Sequence, residues 1–450
     1  MQLTLFEPEP TLDFALELFQ AYFDCRRNKR NTINALAFEK YFEHHLFQLK
    51  EEILNVSYQP SRSIAFIVDK PVKREIFAAD FRDRVVHHWL INKLNPYFEK
   101  EFIFDSYACR TAKGTHFGIG RVNDFIRACS KNYTSDCYIL KLDIQGFFMH
   151  INKDLLFGWL QQFIHEKYEA VDKELVLELC SKIIFNDPTK NCVIKGSKQA
   201  WQGLPDNKSL FQSPAGCGLP IGNLSSQVFA NFYMNRFDHF IKNELGIQYY
   251  GRYVDDFIIV HPDKEFLKSL IPILSDFLIA NLQLTLHPKK IYLQHYSKGV
   301  KFLGTVVKPN RIYIANRTKG NFYHAIEKQN RIIQDHSPRL INKSNFINSQ
   351  TQIIQRGKPT KEEKAAFLSS MNSYLGIMKH YKSYKLRKRM IFKRLSVYWF
   401  NHVYLSGGIT KFVLKVRPVK RKQRNANTGF DGHAALSGRH VTKPNRYGSF

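Results

Sequence analysis

Apolar residues repeat along this chain with two different periods, and each change of period marks an element. Residues 12–23 alternate apolar and polar positions at helical spacing, a charged run from Arg26 to Asn31 interrupts them, and 36–53 resume the helical pattern. Residues 63–68 and 75–78 read as strands, followed by a helix from Phe81 to about Asn95 with Pro96 just after it. Residues 138–144 form a strand carrying a carboxylate, Asp143, at its end. Helices are expected over 153–166 and 171–184, then a long loop over 186–217 rich in Gly, Pro, Lys, Asn and Ser. Further helices are expected over 224–244 and 266–280. Between them, Arg252-Tyr253-Val254 and Phe257-Ile258-Ile259-Val260 flank Asp255-Asp256 as the two strands of a hairpin. From about Arg317 the pattern is helical and basic, with helices over 360–370 and 372–394. The alternation of strands and helices predicts an α/β protein.

Charge sharpens this picture. Among 450 residues there are 67 Lys and Arg against 39 Asp and Glu, a formal net charge of +28, which calls for a polyanionic partner such as nucleic acid. The seven cysteines are scattered, odd in number and never at Cys-x-x-Cys spacing, so a zinc ribbon is not supported and a reducing, cytoplasmic setting is expected. The chain has no long uncharged apolar run, so no membrane partner is expected.

The candidate chemistry lies in the acids. Asp-Asp is a poor choice for a tight hairpin, which prefers Asn-Gly or Asp-Gly, and adjacent like charges repel. A divalent cation is the simplest reason to keep them there, since Mg²⁺ takes oxygen ligands and leaves positions open for phosphates. Asp143 with Asp255 could hold two Mg²⁺ ions, or Mn²⁺ in their place, for in-line phosphoryl transfer.

Several motifs, in order, carry a family resemblance. Arg74-Glu75-Ile76-Phe77-Ala78-Ala79-Asp80-Phe81-Arg82-Asp83-Arg84-Val85-Val86-His87 resembles a fingers motif of bacterial retroelement reverse transcriptases. Leu142-Asp143-Ile144-Gln145-Gly146-Phe147-Phe148 resembles their first catalytic palm motif, and Tyr253-Val254-Asp255-Asp256 the second. Gly218-Leu219-Pro220-Ile221-Gly222-Asn223-Leu224-Ser225-Ser226-Gln227 resembles the template-and-nucleotide helix. Leu284-Thr285-Leu286-His287-Pro288-Lys289-Lys290 and Lys301-Phe302-Leu303-Gly304 resemble the two later palm motifs. Most reverse transcriptases carry Gln where this chain has Ile221, and Pro where it has Gln227. The variant here resembles enzymes of diversity-generating retroelements and related defence-associated bacterial groups.

The resemblance implies a right-hand polymerase: an N-terminal helical extension over 1–60, fingers over 61–135 and a palm with a catalytic β-hairpin over 136–305, interrupted by a finger insertion at 186–217. A helical thumb over 306–405 and a basic C-terminal extension over 406–450 complete it. It implies RNA-directed DNA synthesis from deoxynucleoside triphosphates, with Asp143, Asp255 and Asp256 catalytic, and with these acids and the Ile144 carbonyl holding metal. Arg74, with Lys73 beside it, would grip the incoming triphosphate; the alternative is an exposed edge-strand charge. Phe148 would be the steric gate against a ribose 2′-hydroxyl. Ile221 and Gly222 would lie against the nucleotide or template, and Lys290 would protonate the leaving pyrophosphate or solvate it. Phe302-Leu303-Gly304 would support the primer end. Asp83 and Arg84 read as a structural ion pair, and His87-His88 as packing or template contacts. The basic strip of Lys411, Lys415, Arg417, Lys420, Arg421, Lys422 and Arg424 reads as RNA-binding. Expected partners are an RNA template or structured non-coding RNA, the DNA product, and an accessory protein or a second copy of the chain. The expected role is antiviral defence; the alternatives are mutagenic copying in a diversity-generating element, or a non-catalytic RNA-binding protein on a polymerase fold.

Overall fold

The computed structural model describes residues 10–27, 32–69, 72–335, 339–341, 352–354 and 358–415. Of three N-terminal helices, α1 (Pro10–Arg26) and α2 (Ile33–Glu39) lie against the long helix α4 (Phe81–Glu101), and α3 (Phe42–Leu54) packs on α1 and α2. Phe14 meets Trp89 edge to face at 5.1 Å, and the Trp89 indole donates to Glu17 at 2.9 Å. These helices share one core with the palm rather than standing apart as an extension. Helix α4 does not stop before Pro96 but runs through it to Glu101. Buried Leu94 and Phe98 on either side hold the helix together, so packing overrides the lost backbone bond. The strands before it, β1 (Ile64–Val68) and β2 (Arg74–Ala78), pair antiparallel, and a short β4 (Val193–Ile194) from the insertion joins β1 in parallel.

A helix that the sequence reading did not name, α5 (Thr115–Cys129), leads to β3 (Tyr138–Asp143). After β3 come α6 (Phe147–His150), α7 (Lys153–Lys167) and α8 (Lys173–Phe185). Helix α9 (Leu224–His239) ends in a π-turn over 240–244 and precedes the hairpin β5 (Tyr249–Tyr253) and β6 (Asp256–His261). Helix α10 (Lys264–Leu282), whose N-terminus is capped by the Asp263 carboxylate, and β7 (Tyr292–His295) complete a four-stranded sheet of order β5-β6-β3-β7. Both faces of this sheet are covered. Leu140, Leu142, Phe257 and Ile259 enter the core toward α10, and the alternate residues Ile139, Ile258 and Val260 enter a second cluster with α5. Burial on both sides is why these strands read as nearly continuous apolar runs.

Strands β8 (Val300–Phe302), β9 (Thr305–Lys308) and β10 (Arg311–Ile314) form a small meander. Then come α11 (Asn316–Asp335), the paired β11 (Arg339–Ile341) and β12 (Gln352–Ile354), α12 (Lys361–Met378), α13 (Tyr384–Arg394), and the hairpin β13 (Val403–Ser406) with β14 (Lys411–Leu414). Helix α12 starts in a full capping box, with Thr360 and Glu363 bonding each other's backbone. It does not break near residue 371: the Asn372 side chain is taken up by the Phe412 N–H (2.7 Å) and carbonyl (3.0 Å), so it does not compete with the helix. Phe367, Met371, Leu375, Met378, Met390, Ile391, Trp399, Val403, Ile409 and Phe412 make one core. The hairpin is therefore packed into the same unit as α11–α13, and the boundary expected after residue 405 falls inside that unit.

Candidate active site

The first catalytic candidate is set by strand pairing. In the antiparallel register of β3 and β6, Asp143 stands directly opposite Asp256. Tyr253 pairs with Asp256, which leaves Val254 and Asp255 as the two turn residues. Val254 has φ +58, a backbone conformation costly for a β-branched residue and usual for glycine at the first turn position. The Ile144 N–H donates to the Asp255 carbonyl at 3.2 Å, and the His287 N–H to the Asp143 carbonyl at 2.8 Å. Three separate segments thus converge on the acids.

Burial raises Asp255 to about 6, with Asp143 and Asp256 adding to the effect. Asp256 is also raised, by burial first, against the pull of Lys141. Two lysines sit on the acids: Lys290 Nζ lies 2.6 Å from an Asp143 oxygen, and Lys141 Nζ 2.5 Å from an Asp256 oxygen. That Asp256 oxygen has this ion pair but no aligned hydrogen bond. Among the described residues, no group of three or more His, Cys, Asp and Glu side chains converges as a closed metal cage. The donor set still fits a hard cation, because its carboxylates repel one another. Mg²⁺-type sites need only one or two carboxylates, with substrate phosphates supplying the rest.

Around this centre the nucleotide candidates divide. Phe148, partly exposed, packs between the main core and a small cluster of Ala65, Phe77, Met149 and Leu210, and Ile221 packs on the same cluster. The Phe148 carbonyl accepts from Leu219 (2.8 Å), and the Ile221 carbonyl accepts from Phe77 (2.8 Å), so β2, the 218–222 segment and α6 form one wall. Gly222 has φ +127, and a Cβ there would lie 2.8 Å from Ile76 and 3.2 Å from the Phe77 carbonyl. The close approach that requires glycine is to β2. Arg74 is exposed at the start of β2, and Lys73 donates to the Gln202 carbonyl at 2.6 Å, which ties it to the insertion. Phe302 is buried, and Leu303 and Gly304 form the β8–β9 turn with φ +46 and +82. That turn lines a cavity of about 300 Å³ with Lys113, His116, Thr318 and Tyr381, between palm and thumb. Lys411 and Lys415 are exposed on and just after β14, in the C-terminal unit; Arg417, Lys420, Arg421, Lys422 and Arg424 lie outside the described residues.

Other groupings differ from the sequence reading. Asp83 is structural, but its cationic partner is Arg82 (3.3 Å), with Tyr58 and Ser61 also donating to it; Arg84 donates instead to the Ala79 carbonyl. His87 is buried and pushed down to about 3, first by burial and then by His88 and Arg84, so it is a neutral packing residue. The sequence reading also missed Lys141, whose place one residue before Leu142 puts it on the Asp256 side of β3, and Arg252, described below. It missed Glu75 too, which is buried and accepts from Trp201 (2.6 Å), Ser209 (2.8 Å) and the Leu210 N–H (2.5 Å), anchoring the insertion to β2. A buried acid inside a strand motif was the available signal for Glu75.

Comparison with known proteins gives a family match over the residues that build this centre. The family described as "Reverse transcriptase (RNA-dependent DNA polymerase)" matches residues 70–307, just over half of the chain. The nuclear intron maturase 1 of Arabidopsis thaliana mitochondria is 28% identical over 87 residues, 19% of this chain and 11% of that protein. Among solved structures, apo telomerase from Candida tropicalis truncated from its C-terminal domain aligns with TM-score 0.41 and 14% identity, over 57% of this chain and 56% of that one. Telomerase from Candida albicans in complex with a fragment of telomeric RNA aligns with TM-score 0.40 and 13% identity, over 81% and 61%. The chain thus spans about a tenth of the curated relative and about three fifths or less of these structures.

Proposed function

The chain belongs to the reverse transcriptase (RNA-dependent DNA polymerase) family, and we propose that it is an active RNA-directed DNA polymerase that copies RNA from deoxynucleoside triphosphates. The observation that carries this reading is the placement of Asp143 opposite Asp256 with Asp255 at the adjoining turn. A polymerase-like shell kept only for RNA binding would have no use for three acids held together with Asp255 and Asp256 both raised, by burial first and then by the neighbouring carboxylates. Asp143 and Asp255, with the Ile144 carbonyl, would hold divalent metal, Mg²⁺ in this proposal, with Asp256 beside them. When bound, the metal would supply charge neutralisation for the attacking and leaving oxygens of phosphoryl transfer. Lys290, 2.6 Å from Asp143, keeps a cation at the carboxylate until substrate arrives and is then free to meet the phosphates. Lys141 holds Asp256 in the same way. Phe148 would stand at the sugar, and Arg74 would contact the triphosphate.

We place the protein in a reducing cytoplasm, as its scattered cysteines suggest, in antiviral defence with a structured RNA as template. Mutagenic copying in a diversity-generating element is the second reading, since the Ile221 and Gln227 variant resembles enzymes of both groups. The test is primer extension on an RNA template with purified full-length protein, each deoxynucleotide and Mg²⁺. Template-dependent, chelator-sensitive DNA synthesis is expected. RNA binding without any incorporation would replace this proposal with the non-catalytic reading.

A further inference from the structure

From residue 364 through 415 the chain has eleven Lys and Arg and not one Asp or Glu. Much of this charge is concentrated on α13. Its buried side, Met390 and Ile391, enters the thumb core, and Arg387 turns inward to donate to the Ile409 carbonyl. Its outward side carries two adjacent rows at i, i+4 spacing. Tyr384, Lys388 and Phe392 form one row; Lys385, Arg389 and Lys393 form the next. Tyr384 is 51% and Phe392 56% exposed. The Phe392 ring lies parallel to that of Phe400, 5.9 Å between centroids and 4° between planes, and Tyr398 and Tyr404 in the same C-terminal unit are also exposed. None of Lys385, Lys388, Arg389 and Lys393 forms an ion pair among the described residues.

We infer that this face of α13, with the Phe392–Phe400 pair, is a binding site for single-stranded RNA, separate from the site of synthesis. Cations interleaved with exposed rings suit a strand whose phosphates are neutralised while its unpaired bases stack. Helix α13 starts next to the turn where Tyr381 bonds His116 of α5 (2.9 Å) and where Arg311 donates to Lys382, and it runs to Phe392 two helical turns further on. An anionic membrane fits less well, because the cations and rings share one arc while the apolar arc of the helix is already buried. RNA rather than DNA is the occupant, since a polymerase that copies RNA must hold template beyond the few nucleotides in its cleft. This last step rests on the proposed function; the binding itself does not.

The experiment uses full-length protein and a labelled unstructured oligouridylate, with binding read by anisotropy across a salt series. A variant with Lys385, Lys388, Arg389 and Lys393 all changed to Gln should lower the salt slope by roughly 3. Tyr384→Ala with Phe392→Ala should weaken binding about tenfold, and Phe392→Trp in the wild-type background should preserve it. Extension of a short primer on a short template should be unchanged in all three. Unaltered affinity and slope would overturn the site. So would equal losses for an RNA duplex, tighter binding of the same DNA sequence, or a parallel loss of extension, which would assign the face to the synthesis cleft. Loss of binding to phosphatidylserine vesicles with RNA binding intact would overturn it in favour of a membrane. Because binding is read without nucleotides, an inactive protein that binds and loses binding as described would defeat the polymerase reading and leave this site standing.

Discussion

Arg252 grips Asp238 through two bonds, Nε to Oδ1 at 2.7 Å and Nη2 to Oδ2 at 2.6 Å, with both side chains fully out of solvent. The same guanidinium donates to the Val254 carbonyl at 3.0 Å, one residue before Asp255. Burial works against the Arg252 charge and Asp238 more than offsets it, so the cation is secure. The strained Val254 turn is thus held from inside the palm by a buried ion pair.

Removing one partner of such a pair strands a charge. Arg252→Met is expected to cost about 3–5 kcal/mol in urea unfolding. Adding Asp238→Leu should recover part of that loss, since well-packed apolar replacements of buried pairs are often neutral but the buried Tyr250 hydroxyl, which donates to Asp238 at 2.6 Å, then loses its acceptor. Nucleotide incorporation should stay depressed in the double variant, because nothing then holds the Val254 carbonyl. A double variant regaining both stability and rate would mean that the turn supports itself.

The carboxylates should make the metal-free protein less stable near neutral pH. Asp255 takes its proton at about 6 in the folded state against 3.8 as a free side chain. Below 3.8 both states hold the proton and folding costs nothing. The cost grows between 3.8 and 6 and is complete above 6, at most about 3 kcal/mol. In chelator, Asp255→Asn should therefore be more stable than the natural chain by roughly 1–3 kcal/mol at about pH 7, with the gap closing toward pH 4. A divalent cation should raise the Tm of the natural chain and do little for the variant. A gap that ignores pH would exclude carboxylate repulsion as its source.

Sugar choice should depend on Phe148. With Phe148 partly exposed on α6, packed against the cluster of Ala65, Phe77, Met149 and Leu210, Phe148→Ala should lower the preference for deoxyribonucleotides by roughly tenfold to a hundredfold in kcat/KM. An unchanged ratio would make Phe148 a packing residue like its neighbour Phe147.

Ile221 offers shape but no polar contact. Ile221→Gln should reduce misincorporation about threefold to tenfold, the worth of one hydrogen bond. Its partly exposed position lets the amide reach solvent, so folding should survive. Single-nucleotide insertion opposite each template base decides it, and equal selectivity would show that position 221 does not read the base pair.

The parts of this protein legible in the sequence are those fixed by local pattern. Short, nearly continuous apolar runs located β3 and β6, and a pair of acids that local turn chemistry disfavours located the centre. Hidden parts depend on contacts far apart in the chain. Arg252 looked like an ordinary strand residue until Asp238, on α9, came beside it. Residues from 406 onward read as a basic C-terminal extension, yet Ile409 and Phe412 are core residues. A truncation meant to test the basic strip must therefore fall after Lys415, since one after Leu405 removes β14 from the thumb core. Pro96 misled in the opposite direction, because packing around α4 outweighs a local breaker.

The most direct test of the central claim is template-directed incorporation by Asp255→Ala combined with Asp256→Ala, measured beside RNA affinity in the same preparation. Incorporation should vanish while RNA binding stays within about twofold, because the acids serve phosphoryl transfer and affinity comes from the distributed basic surface. Continued DNA synthesis by the double variant would contradict the assignment of this centre.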